Sequence, residues 1–268
     1  IMGMHLAHLT HNLRIGTAVS LAAFYHPLRL AEELALLDNL SGGRINAGFG
    51  RGFDRTEMDI FGVEMEDSYP RFRENVDIVL RAWGSERLTY DGKFNSYHDI
   101  EVLPKPQQDP MPTWVAASSP SAVEWAATEG HAILMDPHAS HSEIAAKYAN
   151  YEQTLSRVGR TNTQDTPIAR LMAIAATDAE AEAVARQGAQ WTVGSYAGPK
   201  KGGPPSDLSA DELVERYVNE VIIHGSPQKV VDKLTELEET IPLQYLLASI
   251  LSHETFLRLT DEVIPRMG

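Results

Sequence analysis

The sequence predicts an α/β fold: a parallel sheet with helices packed outside it. Three observations support this. Apolar runs short enough for strands alternate along the chain with longer segments whose apolar residues recur at helical spacing. Those helical segments carry their own punctuation, with proline or a capping hydroxyl at the start and, in places, glycine at the end. At 268 residues, 43% of them hydrophobic, the chain can bury a substantial core as one large domain or two small ones.

Residues 2–10 read as the end of a helix and 13–19 as a strand. A helix enters at His26-Pro27, since proline suits the first helical position, where its missing N–H leaves nothing unpaired. Leu28, Ala31 and Ala35, then Leu30, Leu34 and Leu37, give that helix two adjacent apolar stripes, and Gly42-Gly43 ends it. Residues 44–49 alternate large and small with period two, as a strand does, and the run closes on Arg51-Gly52. In α/β proteins the carboxyl end of a strand is where ligands bind.

Further along, 55–62 make a short helix or a turn and 71–83 a longer helix, and Asp91-Gly92 is a hairpin turn. Strand 113–117 leads through Ser118 to Ser119, an N-cap, and Pro120, the first position of a helix ending at Glu129. Strand 132–135, helix 141–157 and strand 168–176 follow. Thr177 with Glu180 and Ser209 with Glu212 form capping boxes. Between those two helices, 198–207 is rich in Gly, Pro and Lys and reads either as a mobile lid over a site or as a plain surface loop. Ser226-Pro227 opens the helix 228–239, 243–250 is a strand, and 253–266 is the last helix. The reading thus contains six strands of the parallel type.

A formal charge of −14 argues against nucleic acid as a partner. Zero cysteines exclude disulfides and thiolate-held metals and suit a reducing cytoplasm. No apolar run approaches the length of a membrane span. His5, His8 and His11 are spaced by threes, but residues six apart lie well round a helix from one another, so no metal is expected there. The glycines at 48, 50 and 52 do not make a dinucleotide fingerprint, which needs G-x-G-x-x-G after a chain-opening strand. They read as small sheet-facing residues beside a tight turn. His98, His131, His138 and His224 read as polar loop or capping residues.

The pattern carried by His26, Pro27, Arg29, Ala31, Glu32, Leu37, Asp38, Leu40, Ser41, Gly43, Arg44, Gly48, Arg51 and Gly52 resembles the signature of the bacterial luciferase-like flavin monooxygenases. The likeness continues through Phe61-Gly62, Glu124-Trp125, Gly225-Ser226-Pro227 and Val263-Ile264-Pro265, and so covers nearly the whole chain. It implies a (β/α)8 TIM-type barrel over 1–268 as a single domain that binds FMN or, in some branches, a deazaflavin. It also implies that the barrel's first strand, first helix and second strand are absent from this sequence, so the natural protein is expected to extend roughly 50–60 residues upstream of Ile1.

The resemblance assigns flavin contacts as well. Ala18 and Val19 match the place beneath the flavin ring, where the family has a non-prolyl cis peptide. Ser118 and Ser119 match positions that hold the FMN phosphate, although Ser118 stands where the family has an acidic residue and Ala122 where it has a threonine. Arg51, a fork of N–H donors at a strand end, is expected to hold the same phosphate as the helix start at Ser119. His26 and Glu57 match positions near the family's pocket. The family's catalytic histidine follows its second strand, so no catalytic residue is named on this chain.

The activity implied is a monooxygenase that uses reduced FMN from a separate reductase, with dioxygen, to oxidise a small organic substrate. A deazaflavin-dependent hydride-transfer enzyme and a non-catalytic flavin-binding relative are the alternatives. The family also implies a homodimer through the helix from Pro27 to Leu40.

Overall fold

Strand β3 (Ile45–Gly50), buried at every position, is the centre of the first half of the chain. The computed structural model describes residues 1–161, 165–197, 208–243 and 245–267, and the chain divides into two units, Ile1–Ala116 and Ala117–Gly268. In the first unit β3 pairs in parallel with β1 (Ile15–Gly16) and β2 (Ser20–Leu21) on one side and with β6 (Thr113–Ala116) on the other. The registers are Ile15 opposite Ile45, Leu21 opposite Gly50, and Gly48 opposite Trp114.

Of the strand expected over 13–19 only Ile15–Gly16 is formed, and the chain rejoins β3 just beyond that range, at Ser20–Leu21. Between them the Thr17 hydroxyl takes over the ladder, accepting the Gly48 N–H and donating to the Gly48 carbonyl, both at 2.8 Å. A side chain that satisfies both backbone groups frees the main chain to leave the sheet plane. The close glycines have the same origin. A Cβ on Gly48 would sit 1.8 Å from the Thr17 carbonyl oxygen and 2.3 Å from the Trp114 indole nitrogen; one on Gly50 would sit 2.3 Å from a Val19 methyl. Their spacing thus follows from packing within the sheet.

Helix α1 (Met2–Leu9) precedes the sheet, and α2 (Pro27–Ser41) follows β2 and ends on left-handed Gly42. Leu30, Ala31, Leu34 and Ala35 of α2 are buried, and Leu37 meets Gly3 of α1, so the second apolar stripe is covered inside the unit. Two signature residues act as ties here. Buried Asp38 accepts the backbone N–H groups of Gln107 and Gln108 at 2.9 Å, and Arg44 donates to the carbonyls of Ala7, Thr10, Leu13 and Ser41, closing the end of α1.

Helix α3 (Arg55–Phe61) is capped by Asp54, and α4 (Met65–Gly84) packs on α2. Helix α4 starts six residues before the expected position 71. Pro70 suggests a helix start, yet an acidic first turn with Glu66 and Asp67 carries the helix past it. The hairpin of β4 (Leu88–Asp91) and β5 (Ser96–Ile100) is held at its turn by Glu74, which accepts the N–H groups of Lys93, Phe94 and Asn95.

The second unit begins with α5 (Pro120–Glu129), β7 (Ala132–Leu134) and α6 (His141–Arg157). Strand β8 (Ile168–Ile174) pairs in parallel with β10 (Leu246–Ile250) and with β9 (Ile223–Gly225). Strand β9 is absent from the six strands expected from sequence. It is three residues long, and such a segment has too little periodicity to stand out. Helices α7 (Asp178–Thr192) and α8 (Ala210–Arg216) bury Ala185, Ala189, Leu213 and Val214 against β8, and both expected capping boxes are formed. Helices α9 (Pro227–Glu238) and α10 (His253–Arg258) complete the unit, the latter continuing in irregular helical turns to Arg266. The segment 198–207 lies outside the described residues.

Candidate functional site

At the carboxyl ends of β1 and β3 the first unit gathers three expected contacts. The Ala18–Val19 peptide is cis. The Val19 side chain lies over Gly50, and Ala18 is exposed. One residue past β3, Arg51 turns toward the first turns of α4. Its Nη1 donates to Ser68 Oγ at 2.9 Å and lies 3.6 Å from Met65 Sδ, while its guanidinium carbon stands 4.3 Å above the Tyr69 ring. Left-handed Gly52 makes the bend that sends the chain away, and a Cβ there would meet the Phe24 ring at 3.0 Å. Phe24 in turn stacks on Phe61 of α3, with ring centroids 5.1 Å apart and nearly parallel.

The other residues matched to the family's pocket stand apart from this group. His26 is exposed at the N-cap of α2, with its ring 6.3 Å from that of Tyr97. Glu57 is exposed in the first turn of α3.

Ser118 and Ser119 belong to the second unit. Ser119 caps α5 as expected, its Oγ accepting the Ala122 N–H at 3.2 Å, with Pro120 at the first helical position. Ser118 is exposed. The positive end of a ten-residue helix therefore points out beside two hydroxyls.

Sequence reasoning missed a second polar assembly, at the carboxyl end of β7. Arg170, in the middle of β8, has no exposed surface. Its Nε donates to the Ala169 carbonyl, Nη1 to that of Ala139 at 2.8 Å and Nη2 to that of Asp136 at 2.9 Å, which fastens the loop between β7 and α6. Burial pulls this guanidinium down to about 10, so it is charged at neutral pH. Burial, aided by the Arg170 and Lys233 charges, pushes His141 down to about 4. Burial also lowers His138, whose Nδ1 is 3.1 Å from the Tyr217 hydroxyl. For Asp136 burial acts upward, but the Lys147 ammonium at 2.8 Å and the N–H groups of His138 and Ala139 hold it below the ordinary carboxylate range. A charged residue inside an otherwise apolar strand was the signal available in the sequence. Among the described residues, no group of three His, Asp or Glu side chains is placed to hold a metal ion.

Residues 2–244 match the family described as luciferase-like monooxygenase. The chain belongs to that family. Among curated relatives, this luciferase-like chain is 26% identical over 186 residues to the oxygenase component of the flavin-dependent trigonelline monooxygenase of Acinetobacter baylyi, covering 68% of this chain and 51% of that one. It is 31% identical over 128 residues to the F420-dependent glucose-6-phosphate dehydrogenase of Kineococcus radiotolerans, covering 47% and 38%. The match thus spans about half the length of such relatives, or less. Among solved structures, monooxygenase RslO1 of Streptomyces bottropensis superposes with a TM-score of 0.77 at 25% identity, covering 99% of this chain and 82% of that one. The luciferase-like α/β fold implied by the sequence signature is thereby established for the chain.

Proposed function

We propose that the protein is a flavin-dependent monooxygenase that oxidises a small organic substrate with reduced FMN and dioxygen. The observation that carries this reading is the family match over residues 2–244. Reduced FMN, delivered by a separate reductase, supplies the electrons for dioxygen. The chain's residues bind and orient it. Ala18 and Val19 offer small, shallow surface for a ring to approach, Arg51 offers a cation at a strand end, and Ser118 and Ser119 offer hydroxyls at a helix start. These are the flavin contacts of the proposal. Taken each within its own unit, the Arg51 guanidinium and the hydroxyls at the start of α5 are both of a kind that suits phosphate oxygens. In the same reading the chain works in the cytoplasm as a homodimer, for which α2 presents exposed Leu36 and Leu40 on its outer side. Sedimentation giving a monomer at micromolar concentration would remove the dimer.

Similarity to an F420-dependent dehydrogenase supports a second reading, a hydride-transfer enzyme using a deazaflavin on the same fold. Titration with reduced FMN and with reduced F420, followed by absorbance together with oxygen uptake, separates the two. The proposal expects saturable FMN binding and oxygen uptake with a substrate present. Saturable F420 binding without oxygen uptake would replace it with the alternative, and binding without turnover of either cofactor would indicate a non-catalytic relative.

A further inference from the structure

Arg51 is held in a way that determines which of its donors face outward. A guanidinium carries five N–H groups in a rigid plane. Both on Nη1 point into the unit: Ser68 Oγ accepts at 2.9 Å, and Met65 Sδ lies at 3.6 Å. Ser68 is itself fully buried and pinned, since its own hydroxyl donates to the Met65 carbonyl at 2.7 Å. Its lone pairs are thus aimed at Arg51 and cannot rotate away. The Tyr69 ring covers one face of the guanidinium at 4.3 Å, and Arg73 places a second positive charge 5.8 Å from the same ring. Nε and Nη2 remain, with no acceptor among the described residues. Their hydrogens lie on the same edge of the plane, side by side, and that edge matches two oxygens of one anion.

We propose that Ser68 and Tyr69 are positioning residues that preset Arg51 as a bidentate clamp for a phosphate monoester, accepted through Nε and Nη2. This rests on the reading of Arg51 as a flavin-phosphate ligand and goes beyond it, because it assigns the clamp's geometry to two residues that do not touch the cofactor. Both stand on the first turns of α4, next to the acidic residues that let the helix start before Pro70. The loss of side-chain freedom is met during folding rather than during binding.

The test compares FMN with riboflavin, which lacks the phosphate, in equilibrium titrations of the whole chain and of Arg51→Ala, Ser68→Ala, Tyr69→Leu and Tyr69→Phe. The wild-type protein is expected to prefer FMN. Arg51→Ala should weaken FMN by about 10–100-fold, as loss of bonds to a charged group does. Ser68→Ala should weaken it by about 3–10-fold and Tyr69→Leu by about 2–5-fold, with Tyr69→Phe close to wild type, since stacking needs the ring and not the hydroxyl. Riboflavin affinity should be unchanged throughout, which a general loss of structure would not allow. If the wild type shows no preference for FMN, or Arg51→Ala keeps it, the phosphate reading of Arg51 falls and the clamp with it. If Arg51→Ala removes the preference while Ser68→Ala and Tyr69→Leu retain it in full, the reading stands and the positioning role is overturned.

Discussion

Arg51 and Arg170 are both arginines on or just beyond a parallel strand, and they are put to opposite uses. Every terminal nitrogen of Arg170 is turned onto a main-chain carbonyl, and the residue has no contact with solvent. Arg51 has one nitrogen held by a buried hydroxyl and an aromatic ring beneath it, with its other edge outward. Arg170 thus joins a loop to a strand, whereas Arg51 is left able to join the protein to something else. Residue type alone does not separate a structural cation from a binding one; the count of satisfied N–H groups does.

The largest test of this contrast is Arg170→Met. It leaves the carbonyls of Asp136 and Ala139 buried without donors, so urea unfolding should show a loss of about 2–4 kcal/mol. A loss below the error of the measurement would mean that the loop does not depend on Arg170. The same surroundings make the second unit acid-sensitive. His141 has a folded pKa of about 4 against an ordinary value of 6.5, so the unfolded chain binds the extra proton between those values. Stability is complete above about pH 6.5 and falls as pH drops toward 4, by about 1–3 kcal/mol through this group. Unfolding midpoints in urea across pH 4–7 measure it, and His141→Gln should flatten that slope.

Ser119→Ala removes the cap of α5 and should cost about 1 kcal/mol, read as a lower thermal midpoint. Arg51→Ala should be the mildest for stability, below about 1 kcal/mol, because it removes one hydrogen bond to Ser68, a weak contact to Met65 Sδ and the half-exposed stacking on Tyr69, and leaves no main-chain carbonyl without a donor. If it destabilises as much as Arg170→Met, the distinction between the two arginines is lost.

Much of this arrangement was legible in the residues. Pro27, Gly42, Ser119, Thr177 and Ser209 mark helix ends through local backbone chemistry, and each acts where its chemistry places it. The signature from His26 to Gly52 identified the family and placed Arg51 at the end of β3. It did not separate scaffold from site within itself: Asp38 and Arg44 are ties between elements, and Gly48 and Gly50 are clearances for Thr17, Trp114 and Val19. Nothing local announces three-residue β9, or that within 13–19 the Thr17 hydroxyl replaces a rung of the ladder.

The sequence by itself determined the alternation of strands and helices, their caps, the family and the cation at the end of β3, because each is a property of residues a few positions apart. Only the tertiary structure decided what Ser68, Tyr69, Asp136 and Arg170 touch. Ser68 meets Arg51 across 17 positions, and Arg170 meets Asp136 across 34. A hydrogen bond over such a separation depends on where folding brings two backbones, and no local propensity encodes that distance.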